Sequence, residues 1–226
     1  MSVLVRFMLL LTIIIVCGFE GTTNKGEITY RMEQINEVTN DFEIHVDYPI
    51  FEKMTNRTLE KESNYKIKDY IDGKVNKVEK LASETMGFPI FYYGETEVVK
   101  DIDFYSVLLT SNISWENHYQ SQVKSFNFFN KPEATIATLE ELTNFEKLTE
   151  EVKRELAKDP EVYNVKDFKT LREDTAYYLK DGDIVLVFNK YEIAPGVYGN
   201  PEITIPYSRV KAKMPKVQEN EGPLFN

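Results

Sequence analysis

Alternation of apolar and polar residues at a period of two in EITYRM (Glu27–Met32) and FEIHVDY (Phe42–Tyr48) predicts two half-buried strands, the second closed by Pro49. From Thr55 to about Met86 the step changes to three and four. Leu59, Ile67, Tyr70, Ile71, Val75, Val78 and Leu81 recur with Lys and Glu between them, which predicts one long amphipathic helix. Thr55 or Asn56 can cap its start, and Gly73, which costs about 1 kcal/mol relative to Ala, marks a site for a bend. Phe88 to Phe129 is dense in Phe, Tyr, Val and Ile and predicts two or three antiparallel strands, with a turn near Thr110–Asn112. Lys131-Pro132 interrupts that pattern. Thr138–Lys158 then predicts a short helical turn and a longer helix through Leu148, Val152 and Leu156, ended by Asp159-Pro160. Ala176–Leu179 and Ile184–Phe188 predict a hairpin around Asp181-Gly182. Asn189–Asn200 is a loop rich in Pro, Gly and Tyr, and Glu202–Tyr207 resumes a strand. The tail 214–226 has little periodicity and is expected to be loose. The expected fold class is α+β: antiparallel sheets packed with one long and one shorter helix, in two lobes sharing one core over residues 27–213.

Ahead of this pattern, Phe7–Val16 (FMLLLTIIIV) is an apolar run preceded by Arg6 and followed by small and polar residues, the layout of a secretory signal peptide over residues 1–24. A membrane anchor would need roughly 20 apolar residues, so cleavage is the favoured expectation and a retained anchor the second. Cys17 closes the run where a lipoprotein signal carries its lipidated cysteine, although Val16 stands where that signal wants Gly, Ala or Ser. Membrane contact is expected through this segment alone.

Composition narrows the chemistry. With 37 acidic and 27 basic side chains the formal charge of the 226-residue chain is −10, and no basic stripe is present to neutralise phosphates, which excludes nucleic acid as the expected partner. One cysteine and two histidines remove disulfide frameworks and Cys-rich zinc sites. His45 shares the parity of Glu43 and Asp47 on its strand, and His118 sits among polar residues; neither spacing points to a metal or a triad. Asp101-x-Asp103 and Asp181-x-Asp183 resemble metal pairs, but the second surrounds a turn that wants Asp for backbone reasons. No Gly-rich phosphate loop, calcium loop or metalloprotease helix occurs, so no catalytic residue, metal site or cofactor is expected. Asn56-Arg57-Thr58 and Asn112-Ile113-Ser114 match the glycosylation sequon, a pattern common by chance. The 14 Tyr and 14 Phe are the positive feature. Most belong to cores, whereas Tyr191, Tyr198 and Tyr207 lie on or beside the Pro/Gly-shaped loop, where rings either bind a partner or tack the loop to the sheet.

The stretch YLKDGDIVLVFNKYEIAPGVYGNPEITIPY (Tyr178–Tyr207) resembles the C-terminal signature of the PdaC/RsiV-like family of bacterial extracytoplasmic domains. Val46–Ile50 followed by the long helix, and NISWENHYQSQVKSFNFF with ATIATLEELT, resemble its upstream segments, so the likeness covers most of the chain after the leader. One departure stands out: Ser121–Ser125 (SQVKS) occupies the place where many members carry Gly-Gly-Ala-His.

The resemblance implies an α+β fold and a binding role outside the cytoplasm. In one branch the domain is the outer part of an anti-sigma factor that recognises lysozyme; in another it precedes a peptidoglycan deacetylase domain. With only Met1–Arg6 ahead of the apolar run, this chain is not expected to hold a sigma factor in the usual way. Nor are the metal-binding Asp and His residues of a deacetylase expected in it. The expected function is a non-catalytic envelope domain that binds a lysozyme-like muramidase or peptidoglycan, with Tyr191, Glu192, Pro195, Tyr198, Gly199 and Tyr207 as candidate contacts. Alternatives are a cell-wall hydrolase or deacetylase using clustered carboxylates, and a structural envelope lipoprotein.

Overall fold

The computed structural model describes residues 28–85 and 87–212. The leader 1–24, Cys17 within it and the tail 214–226 lie outside the described residues. The first lobe is a five-stranded sheet in the order β1-β2-β3-β4-β5, with β1 Thr29–Val38, β2 Phe42–Glu52, β3 Ile90–Asp101, β4 Phe104–Trp115 and β5 His118–Phe129. The second is a three-stranded sheet, β6 Ala176–Lys180, β7 Asp183–Val187 and β8 Glu202–Pro206, paired antiparallel in chain order.

A 28-residue helix, α1 (Arg57–Glu84), connects β2 to β3 and buries Leu59, Ser63, Ile67, Ile71 and Val78, a stripe at helical spacing. Asn56 caps it: its Oδ1 accepts from Thr58 N (3.0 Å) and Leu59 N (3.1 Å), while its Nδ2 donates to Ala134 O (3.1 Å). The Asn56 sequon is thereby consumed by the fold. The helix runs unbroken through Gly73, where a bend was expected. Because a helix returns the chain across the sheet, β2 and β3 pair in parallel (Phe42↔Ile90 to Val46↔Gly94), so one strand pair departs from the all-antiparallel expectation.

Two boundaries also differ. The strand β2 continues through Pro49 to Glu52, because β3 flanks it only as far as Val46; beyond that point one side of β2 is an edge, where a missing N–H leaves no ladder bond unmade. The strand β4 runs straight through Thr110–Asn112, and the real turns lie at Ile102 (φ 51°) and Glu116 (φ 49°). The polar run is held inside the strand by tyrosines: Tyr70 and Tyr92 hydroxyls lie 3.3 and 3.4 Å from Ser111 Oγ, and Tyr119 donates to Asn112 Oδ1 (2.8 Å).

The first core lies between α1 and the large sheet, around Ile44, Tyr92, Val107 and Phe128. The second lies between the small sheet and two helices, α2 (Leu139–Leu142) and α3 (Phe145–Leu156), around Leu148, Val152, Ile184, Leu186 and Phe188. A third cluster, Leu108, Val123, Ala176 and Val187, joins the sheets. The chain ends its described part in a single turn, α4 (Tyr207–Val210).

Candidate functional site

The hairpin β6–β7 turns at Asp181 (φ 53°) and Gly182 (φ 87°), the two left-handed residues that a tight hairpin requires. It delivers the chain into the loop 189–200, which is rigidly built. Asn189 N donates to Glu192 Oε2 (2.9 Å), and Arg172 grips the same carboxylate with two bonds, Nε to Oε1 (2.8 Å) and Nη2 to Oε2 (3.1 Å). Burial pulls the Arg172 guanidinium down, but Glu192 and Asp174 outweigh it and hold the group above its ordinary value. Ile193 and Ala194 are buried, and Asn164 N donates to Ile193 O (2.8 Å). Glu192 therefore ties the loop to its own scaffold.

Past that anchor the loop turns outward. Tyr191 is 63% exposed, Val197 85% and Tyr198 50%, with Pro195 also exposed. Tyr191 takes φ 70°, and its ring lies directly on Gly196, where a Cβ would sit 2.2 Å from ring carbons. Gly199 has φ 66° and ψ −128°, a conformation open to glycine. Tyr207 is placed elsewhere: it opens α4, packs on the second core and donates its hydroxyl to Leu142 O (3.1 Å). Of the six candidate residues, Tyr191, Pro195, Tyr198 and Gly199 share the loop's outer part, while Glu192 and Tyr207 serve the scaffold.

The loop is clamped at both ends to β5. Asn189 Oδ1 accepts from Val123 N (2.8 Å); Asn200 Oδ1 accepts from Ser121 Oγ (3.0 Å) and its Nδ2 donates to Phe188 O (3.0 Å). Lys190 Nζ lies 4.2 Å from the Tyr119 ring centroid and 5.5 Å from that of Tyr191, so a cation bridges the strand and the loop. The segment Ser121–Ser125 is thus the seat of the loop. Sequence reasoning passed over Tyr119, Lys190, Arg172 and the two clamping asparagines. The only signal for the last is that Asn flanks the loop at each end.

The other sequence candidates do not converge. His45 is held by Asn36 Oδ1 (2.7 Å) and Glu43 Oε1 (2.8 Å) and stacks on Tyr93; His118 is exposed and stacks on Trp115. Asp101 and Asp103 flank the turn at Ile102. Among the described residues no group of three or more His, Cys, Asp or Glu is placed to hold a metal, and no helix is long and apolar enough to cross a membrane.

Comparison with known proteins gives three findings. Residues 127–208 match the family described as "Protein of unknown function (DUF3298)". The chain is 25% identical over 189 residues to the anti-sigma-V factor RsiV of Bacillus subtilis, covering 76% of this chain and 66% of that protein. A crystal structure of a DUF3298-family member from Bacteroides fragilis has a TM-score of 0.54 at 17% identity, over 84% of this chain and 96% of that one, a likeness of fold. All three agree with the resemblance carried by Tyr178–Tyr207.

Proposed function

We propose that this chain, which carries a DUF3298 domain and is RsiV-like, is a non-catalytic binding module working outside the cytoplasm, and that its ligand is a lysozyme-like muramidase. The observation that carries this reading is the loop 189–200, where Tyr191, Val197 and Tyr198 face solvent on a backbone anchored by Arg172–Glu192 and by β5. Ordered aromatic rings lose little conformational entropy on binding, and Tyr is enriched at the energetic centres of interfaces. The formal charge of −10 favours encounter with a basic partner by long-range steering, an effect that weakens with salt. A second reading, peptidoglycan glycan as the ligand, is favoured by the same exposed rings, which suit the apolar face of a sugar.

The test is a titration of the purified protein against lysozyme and against soluble peptidoglycan fragments at low and physiological salt. Saturable binding that survives physiological salt is expected, weakened about tenfold or more (about 1.4 kcal/mol or more) by Tyr191→Ala with Tyr198→Ala. Unchanged affinity in that double variant, with an intact circular dichroism spectrum, would move the contact surface away from the loop.

A further inference from the structure

The pairing of β1 with β2 fixes which way each main-chain group of β1 points. The two strands keep one register without a bulge, from Thr29↔Glu52 to Val38↔Glu43. At the hairpin Thr39 N donates to Phe42 O (2.9 Å), so Phe42 faces β1. At the far end Phe51 N donates to Asn64 Oδ1 (2.8 Å) and Asn64 Nδ2 donates to Phe51 O (2.9 Å), so Phe51 faces away from β1. Alternation between those points turns the N–H and C=O of the odd-numbered residues of β1 toward β2, and those of Tyr30, Met32, Gln34, Asn36 and Val38 outward. Among the described residues no partner meets these outward groups. Edge strands are ordinarily blunted by Lys, Pro, a bulge or shortness, yet TYRMEQINEV runs for 10 residues with none of these. The outward residues also carry apolar side chains on one side of the strand: Tyr30 is 45% exposed, Met32 43% and Val38 68%.

We propose that β1 is a dimerisation edge, and that its partner is β1 of a second copy of this chain, paired antiparallel about a two-fold axis at Gln34. The strand is self-complementary in that register. With Gln34 opposite itself, Met32 meets the second copy's Asn36 and Tyr30 meets its Val38, so every outward group is bonded and the exposed apolar side chains cover each other. On the other side of the strand Arg31 falls opposite the second copy's Glu37, twice by symmetry, and Glu33 falls opposite Ile35. A slide of two residues either way keeps the outward groups in phase but leaves some of them unpaired at each end, and it sets Glu33 against Glu33 or against Glu37, like charges directly opposite. Arg31 has a group to give: Nη1 meets Glu33 (2.5 Å) and Nε meets Glu52 (3.1 Å), which leaves Nη2. The Glu37 side chain has no ion pair or hydrogen bond among the described residues. This inference goes beyond the lysozyme or glycan reading and uses none of the loop's residues.

Analytical ultracentrifugation of the purified protein tests it, at physiological salt to screen the repulsion between two chains of charge −10. A dimer that forms at about 100 µM and dissociates on dilution toward about 1 µM is expected of a contact confined to one edge. Glu37→Arg places an Arg opposite Arg31, and Arg31→Glu places a Glu opposite Glu37, so each variant alone is expected to lose about tenfold or more in dimer affinity. Both positions are exposed, and an unchanged circular dichroism spectrum is expected in each variant. Mixed in equal amounts, the two variants present opposite charges to each other at both positions, and a heterodimer close to the original affinity is expected. A monomer at about 100 µM, as when another segment of the chain covers the edge, would overturn the proposal. So would a dimer indifferent to both charge variants, or a mixture that forms no heterodimer.

Discussion

Two glycines on neighbouring elements behave in opposite ways under the same substitution. At Gly94 in β3 an added Cβ would lie 2.6 Å from Val46 Cγ2, and Val46, 3% exposed, is branched and enclosed by the first core. Gly94→Ala is expected to cost about 1–3 kcal/mol through overpacking. At Gly73 in α1 an added Cβ meets nothing within 4 Å, and Gly73→Ala is expected to stabilise by about 0.5–1 kcal/mol, through backbone entropy and helix propensity. Urea unfolding of the two variants reads both effects. Glu192 belongs to the same scale. Its carboxylate accepts from Asn189 N and from Arg172, so Glu192→Ala strands a backbone donor and leaves the half-exposed guanidinium with Asp174 alone. A loss of about 1–3 kcal/mol is expected in the same assay.

At the scale of elements, α1 depends on its first turn. Asn56→Ala removes the cap of two N–H groups and the bond to Ala134 O, with an expected cost of about 1–2 kcal/mol, measurable as a lowered urea midpoint with unchanged slope. Elements with local signatures could be read from sequence: the amphipathic period of α1, the Asp181-Gly182 hairpin, and the short helical turn from Thr138, which the structure opens with a capping box in which Thr138 Oγ1 accepts from Glu141 N. Elements whose bounds depend on distant partners could not. Ser111 and Asn112 look like turn residues until tyrosines from α1, β3 and β5 satisfy them within a strand. The real turns use Ile102 and Glu116 in the left-handed region, residue types that announce no turn. The candidate loop was legible from its Pro, Gly and Tyr content. Its footing on β5 and the placing of Tyr207 against Leu142 required the pairing of segments more than 60 residues apart, such as Val123 with Asn189, and the tie of Glu192 required Arg172, 20 residues away.

For the whole molecule, tyrosine burial sets the alkaline limit of stability. Burial pushes Tyr92 up to about 12; burial with Glu33 does the same for Tyr48, and burial with Glu202 for Tyr178. A phenol whose folded value exceeds the ordinary one near 10 keeps its proton longer in the native state. Its stabilising effect is complete below pH ~10 and is lost as pH climbs toward ~12. Near pH ~11 the native protein is therefore expected to show less tyrosinate absorbance than the urea-unfolded chain, and a lower urea midpoint than at neutral pH. Equal tyrosinate absorbance in the two states would contradict the burial of these rings.

The dressing of β5 has a further consequence for how copies of this sheet can meet. Part of its outer edge is covered: Asn127 O accepts from Ala137 N (2.6 Å) and Val123 N donates to Asn189, while the side chains of Ser125 and Ser121 bind Tyr177 N (3.0 Å) and Asn200 beside them. The opposite edge, β1, has no strand beyond it among the described residues. A sheet open on both sides can add strands without end, which is the geometry of a fibril. A sheet open on one side can join its like once, edge to edge, and the joined edges are then spent. In the five-stranded sheet, strand addition is then favoured at β1 over β5, and the clamped loop, whatever it binds, also covers part of the β5 edge.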